Sequence, residues 1–196
     1  MKALLYKDVC VIRSELKLWV LLVALFCLLP QLRLNGFFVL YAGIMFPTTL
    51  MSFDERSKWE VLAGMLPYSD RERVLSRYVS GWIALAFGAV LDLLGYAIGQ
   101  HGVGPAELTS LGWLVALALV LQAVSFPILF RVGVEKGRLC TFFMYGVGAV
   151  LLALLGQGLK LDSALRLGAL PALLGGVLLC LLSVPVAVRM MQRRAG

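Results

Sequence analysis

The sequence predicts an all-α membrane protein with six transmembrane helices. Of its 196 residues, 61% are hydrophobic and only 15% are charged, whereas soluble domains are about 45–50% apolar and about 25% charged. Because a spanning helix needs roughly 20 apolar residues, six of them leave room for short loops and tails only. We therefore expect a single transmembrane domain over residues 1–196. The composition argues against a soluble enzyme, a β-barrel and a receptor with a large ectodomain.

Six apolar segments are long enough to form these helices. The predicted spans are 16–34, 36–53, 77–99, 108–130, 139–157 and 167–188. Ahead of the first span, residues 1–17 place apolar side chains at helical spacing among charged ones. This pattern is typical of an interfacial helix that lies flat on the inner leaflet. A plain cytoplasmic start to the first span is the alternative.

The lysines and arginines predict the orientation of the chain. With these six spans, all 18 of them except Arg33, Lys160 and Arg166 fall on the same side of the membrane. Because positively charged loops stay in the cytoplasm, both termini and the loops 54–76 and 131–138 are expected there, and the protein in the cell membrane. Orientation and contact with anionic lipid explain the net charge of +7 without a nucleic-acid partner.

The longest polar interruption, residues 53–77, reads FDERSKWEVLAGMLPYSDRERVLSR. It contains two Ser-x-x-Glu capping boxes, which start at Ser57 and Ser69. The first box predicts a short cytoplasmic helix that Pro67 ends. The second predicts a helix that continues into the third span.

The short helix is expected to carry an apolar face, with Trp59, Leu62 and Leu66 on it, inside a rim of mixed charges. Such a face must be covered. The chain's own helices or lipid could cover it, but a groove on a cytoplasmic protein suits a mixed-charge rim better than an anionic membrane does.

One carboxylate, Asp92, lies inside a predicted span, where a charge costs at least about 2.5–3.5 kcal/mol. It shares a helix face with small residues, which let helices approach closely. The face is therefore expected to pack inward, with Asp92 in the bundle or at a subunit interface. There it could form a hydrogen bond to a neighbouring helix, line a substrate path or gate, or relay protons. The role of Gln122 in the fourth span is open in the same way. The candidate packing or pathway residues are Gly81, Gly88, Asp92, Gly95, Gly99 and Gln122.

The sequence lacks three common motifs of nucleotide binding and hydrolysis. It has no G-x-x-x-x-G-K-[ST] phosphate loop, no G-x-S-x-G and no H-E-x-x-H. Its one histidine is predicted to lie in an outer loop, and its 4 cysteines form no C-x-x-C pair. We expect a chain that is not an enzyme and holds no metal or cofactor, so that any energy source resides in another protein.

The run FDERSKWEVLAGMLPYSDRERVLSRYV and the amphipathic start MKALLYKDVCVIRSELK resemble small six-span ABC exporter permeases of the type-2 class. Within that class they are most similar to the permease subunits of phenol-soluble modulin exporters. The resemblance implies that segment 54–70 is a coupling helix that docks on a separate ABC ATPase subunit, which would bind ATP and Mg. The ATPase interface that it implies comprises Asp54, Glu55, Arg56, Lys58, Trp59, Glu60, Leu62, Met65, Leu66 and Tyr68.

The resemblance also implies a second permease copy or a related permease, contact with membrane lipid, and amphipathic helical peptides as exported cargo. Two other functions stay open. One is a proton-coupled secondary transporter that uses Asp92. The other is a non-transporting membrane scaffold or immunity protein.

Overall fold

The computed structural model of the chain is all-helical in the residues that it describes. These are residues 6–7, 37–59, 62, 65, 69–98, 104–134, 136–137, 139, 142–143, 146 and 162–195. The helices are α1 Phe37–Arg56, α2 Asp70–Ile98, α3 Pro105–Val132 and α4 Asp162–Ala195. By length and apolar composition, the segments Asp70–Ala97, Glu107–Val132 and Gly168–Arg193 can each cross a membrane.

These three segments match the third, fourth and sixth predicted spans, and α1 coincides with the second. The all-helical membrane class is therefore confirmed. The first predicted span and most of the fifth lie outside the described residues, as does the interfacial helix apart from Tyr6 and Lys7. The total of six spans and the interfacial helix stay predictions.

The start of α2 is fixed by the second predicted capping box. The Oγ of Ser69 accepts the N–H of Glu72 at 3.3 Å, and the Oε2 of Glu72 accepts the N–H of Ser69 at 3.2 Å. This reciprocal pair satisfies donors that a helix start otherwise leaves free. As predicted, the helix continues into the third span, and its 29 residues extend about 43 Å.

The helices pack chiefly as two pairs, α1 with α2 and α3 with α4. Small residues bring α4 close to α3. A Cβ on Gly176 would lie 3.2 Å from the carbonyl oxygen of Ala116. One turn later, the Sγ of Cys180 donates to the carbonyl of Leu119 at 3.0 Å. Such contacts drive helix association in lipid, where the hydrophobic effect contributes little.

A buried hydrogen-bond chain joins the two pairs. Pro127 lacks an N–H, so the carbonyl of Ala123, one turn earlier in α3, loses its helical donor. The Oγ of Ser183 in α4 donates to that carbonyl at 2.5 Å and contacts the hydroxyl of Tyr78 in α2 at 2.6 Å. Because a serine hydroxyl has one hydrogen, Tyr78 is the donor to Ser183. The Tyr78 ring also meets Phe126 edge to face, with centroids 4.7 Å apart.

Candidate functional site: the charged end and the embedded polar residues

One end of the helix bundle carries the predicted docking segment. There α1 ends, α2 begins, and α3 and α4 end. Exposed basic residues surround it: Arg56, Arg71, Arg131 and Arg193. We call this the charged end.

The segment between α1 and α2 exposes two of the predicted docking residues. Leu62 is 54% exposed and Met65 is 81% exposed. Trp59, by contrast, is half-buried. The Nζ of Lys7 lies 4.4 Å from the centroid of its indole ring, and the indole lines a cleft together with Met51. Trp59 therefore packs partly on its own chain, and among the described residues of this segment Leu62 and Met65 present the most exposed apolar surface.

The turn into this segment begins at Ser57. Its N–H still bonds the carbonyl of Phe53 at 2.9 Å, and its Oγ donates to the carbonyl of Asp54 at 3.2 Å. Lys58 follows with φ 51°, in the left-handed region that turns the chain away from a helix axis. Ser57 thus ends α1, where the sequence predicted the N-cap of the short helix. Glu60, Leu66 and Tyr68 lie outside the described residues.

Asp54 joins three parts of the chain at the charged end. It stands in the last turn of α1, and its Oδ1 bonds the Nζ of Lys7 at 2.6 Å. Its Oδ2 accepts a hydrogen bond from the guanidinium of Arg77 in α2. The side chains are 21% exposed for Lys7, 14% for Asp54 and 8% for Arg77. Partial removal from water makes these ion pairs stronger than surface pairs.

Glu55 makes a further connection. Its Oε2 accepts the backbone N–H of Val134 at 2.9 Å. Val134 follows Gly133, whose carbonyl accepts the N–H of Gly137 at 3.0 Å as the next helix begins. A carboxylate at a helix start satisfies a free donor and complements the helix dipole. Glu55, predicted to face an ATPase, therefore caps a helix of its own chain.

The cleft at the charged end is small. Its volume is about 50 Å³, and its lining includes Arg73, Arg77, Leu129 and Met191. Since a water needs at least about 10–15 Å³ of such volume, the cleft has room for a few waters.

Asp92 is buried against the start of α1. It is 5% exposed, and its Oδ2 accepts the N–H of Val39 at 2.9 Å. Val39 lies in the first described turn of α1, so the carboxylate of one helix serves as the cap of its neighbour. Among the possibilities that the sequence left open, the geometry supports a hydrogen bond to a neighbouring helix.

The glycines that share a face of α2 with Asp92 differ in how closely other residues approach them. A Cβ on Gly88 would lie 2.5 Å from the carbonyl oxygen of Phe38, and one on Gly81 would lie 3.2 Å from Phe126. Both positions lie at close contacts with neighbouring helices. At Gly95, no described residue lies within 4 Å of the corresponding Cβ position. Gly99 lies outside the described residues.

Gln122 compensates for a proline in another helix. Pro47 in α1 has no N–H to donate to the carbonyl of Gly43. The Nε2 of Gln122 reaches that carbonyl from α3 at 2.6 Å. The glutamine is 1% exposed, and its buried Oε1 has no hydrogen-bond partner among the described residues. Its contact is therefore structural, and the proline in a neighbouring span is the sequence feature that could have indicated it.

We expect Gln122→Leu to destabilise the bundle by about 2 kcal/mol, because the freed carbonyl of Gly43 loses its donor. Removal of the unpartnered Oε1 offsets part of this loss. In a Pro47→Ala background the backbone N–H returns, so the same substitution should cost less than about 1 kcal/mol. Thermal unfolding of the four proteins in detergent measures this coupling. Equal effects of Gln122→Leu in both backgrounds would contradict the compensation.

Sequence reasoning missed the internal partners of the two adjacent acids. Lys7, Arg77 and Val134 are separated from them by 47, 23 and 79 residues, and no local pattern encodes such distances. Over the part of the chain that is described, no group of three or more His, Cys, Asp and Glu side chains could hold a metal ion.

Comparisons with curated proteins and with solved structures return no match. The family model described as ABC-2 family transporter protein matches residues 3–192, nearly the whole chain. The chain therefore belongs to the ABC-2 family of transporter proteins.

Proposed function

We propose that the chain is the transmembrane permease subunit of an ABC exporter and that separate ATPase subunits dock on its charged end. Membership of the ABC-2 family makes it a membrane component of an ABC transporter and implies a partner ATPase. The observation that carries the docking proposal is the exposure of Leu62 and Met65 between α1 and α2. ATP and Mg belong to the partner in this proposal.

The chemistry of the exposed segment suits a protein partner. Leu62 and Met65 present apolar surface, and the exposed residues Arg56, Lys58 and Arg71 flank them in the sequence. Protein interfaces combine a desolvated apolar centre with a polar rim. Trp59, already held under Lys7, serves best as a support that fixes the direction of the segment.

The orientation follows from the same charges. Because basic residues are retained in the cytoplasm, the charged end faces the cytoplasm of the cell and its ATPases. The opposite end carries the connection between α2 and α3.

We further propose that two copies, or this chain with a related permease, form the pathway, and that the cargo is an amphipathic helical peptide. Apolar side chains dominate the exposed surface of α2 and α4, among them Ile83, Phe87, Leu174 and Leu178. Such surface suits lipid, another span or an amphipathic cargo. The peptide class rests on the resemblance of segment 53–79 to modulin exporter permeases.

The docking proposal predicts a position-specific loss of ATPase binding. Leu62→Glu and Met65→Glu should each weaken ATPase association about tenfold or more, because a charge replaces an apolar anchor in a desolvated contact. The matched control is Leu108→Glu, since Leu108 is 51% exposed, against 54% for Leu62, and lies at the opposite end of the bundle. Co-expression with a panel of ABC ATPases, followed by purification through a tag on this chain, measures the recovery.

Two results would contradict the proposal. One is a wild-type chain that recovers no ATPase from the panel. The other is recovery that Leu62→Glu and Met65→Glu leave equal to that of Leu108→Glu. In the same assay Trp59→Glu should weaken recovery less than Met65→Glu does, because Trp59 is half-buried in its own chain.

A further inference from the structure

Two adjacent carboxylates at the end of α1 bind three other segments of the chain. Asp54 contacts Lys7 and Arg77, and Glu55 contacts the N–H of Val134. We call this set of contacts the Asp54–Glu55 clamp. It joins α1 to the N-terminal segment, to α2 and to the helix that begins after Gly133.

The clamp lies next to the exposed docking residues. Only Arg56 and the turn at Ser57 and Lys58 separate it from Trp59. That turn is held to α1 by the bond from the Ser57 N–H to Phe53, and Trp59 is held against Lys7, itself a member of the clamp. A force on the segment around Leu62 and Met65 therefore reaches the clamp by two routes. One runs along the chain through the turn that is bonded to α1, and the other runs through the contact of Trp59 with Lys7.

The clamp has the strength to transmit such a force. Its charged side chains are mostly buried, so their attraction is less screened than that of surface pairs. Loss of one partner would leave an uncompensated, largely buried charge. Beyond Arg77, α2 continues without interruption to Ala97, about 30 Å along the helix.

We propose that the Asp54–Glu55 clamp converts movement of the docked segment into movement of α2 and of the helix after Gly133. This inference rests on the proposed function and assigns positioning roles to Asp54 and Glu55 within it. The two acids act on the membrane helices of their own chain, although they lie beside the partner surface. Without the clamp, the ATPase can still bind, but its movement no longer reaches the far end of the bundle.

The test measures movement at the far end of α2 in the complete complex with its ATPase. Ala97, which is exposed, is replaced by cysteine, and the complex is placed in lipid nanodiscs. The rate of maleimide labelling at position 97 is followed by mass spectrometry, with and without ATP and vanadate. Asp54→Asn removes the charge that pairs with Lys7 and Arg77, and Asp54→Glu restores it. Glu55→Leu removes the acceptor of the Val134 N–H, and Glu55→Gln keeps one. Glu107→Gln is a neutralised acid at the opposite end.

We expect the background protein and Glu107→Gln to show a nucleotide-dependent change in labelling rate. Asp54→Asn and Glu55→Leu should lose that change while they recover normal amounts of ATPase, and Asp54→Glu and Glu55→Gln should keep it. A purely structural role would lower the yield or the melting temperature and leave the response of the surviving complex unaltered. An unaltered response in Asp54→Asn and Glu55→Leu, or no response in the background protein with ATPase bound, overturns the clamp. Failure of the wild type to recover any ATPase overturns the proposed function first and the clamp with it.

Discussion

Replacement of Gly88 by leucine is expected to separate α1 from α2 and to destabilise the bundle by about 3 kcal/mol. A Cβ at this position would lie 2.5 Å from the carbonyl oxygen of Phe38 and 2.7 Å from the Cβ of Ala42. The first of these neighbours is backbone, so no change of rotamer relieves the overlap. The two helices must move apart, and the contact between Asp92 and Val39 lengthens with them.

Gly95→Leu provides the matched control. It introduces the same side chain on the same helix seven residues later, where nothing lies within 4 Å of the Cβ position. We expect it to leave the stability within about 0.5 kcal/mol of wild type. Thermal unfolding followed by size-exclusion chromatography in detergent compares the two. If Gly88→Leu melted within a degree or two of Gly95→Leu, the close approach of α1 and α2 would be wrong.

The two glycines also mark how far sequence spacing can predict packing. Spacing identified the face of α2 that holds Gly81, Gly88 and Asp92, because residues seven apart recur on one side of a helix. It could not predict which glycines of this face a neighbouring helix approaches. Phe38 and Val39 of α1 lie beside Gly88 and Asp92, whereas no described residue comes within 4 Å of a Cβ placed on Gly95.

Local chemistry predicted the elements well. The apolar runs located the membrane-crossing parts of α1 to α4, and the capping box at Ser69 set the start of α2. The helix α4, Asp162–Ala195, extends past both ends of its predicted span 167–188. Local chemistry was less informative at the charged end. The pattern around Trp59 indicated a free apolar face, yet Lys7 covers its ring from a distant part of the chain. Charge alone does not say whether Asp54 pairs with a partner protein or with Arg77.

Four polar side chains share one physical cause: Asp92, Gln122 and Ser183 within the bundle, and Glu55 at its charged end. A backbone group without a helical partner must be satisfied where water does not reach it. Helix starts leave N–H groups free, and Asp92 and Glu55 accept from two of them. Prolines leave carbonyls free, and Gln122 and Ser183 donate to two of those. Polar side chains that a sequence marks as candidates for a transport pathway can thus be accounted for by the backbone.

For Asp92 this account predicts a sharp difference between two substitutions. Asp92→Leu leaves the N–H of Val39 unpaired in a buried position, which costs about 1–3 kcal/mol, and removes a carboxylate from the helix start, which costs up to about 1 kcal/mol more. Asp92→Asn keeps a carbonyl oxygen at the same place and should cost about 1 kcal/mol or less. In detergent, unfolding separates helices that stay inserted in the micelle. The cost of placing a polar side chain in an apolar medium is therefore the same before and after unfolding, and it cancels from the free energy of unfolding. Thermal unfolding in detergent should therefore rank the proteins wild type, Asp92→Asn and Asp92→Leu in order of falling stability.

The same pair of variants separates the exporter from the proton-coupled alternative. A proton relay needs an ionisable group, so in that hypothesis Asp92→Asn abolishes transport. A carboxylate that caps α1 needs only an acceptor, so Asp92→Asn should retain most of the ATP-dependent uptake of a fluorescent amphipathic helical peptide into inside-out vesicles. Asp92→Leu should lose uptake in proportion to its loss of folded protein. Complete loss of uptake in Asp92→Asn, with stability and ATPase recovery intact, would instead make Asp92 part of the transport mechanism.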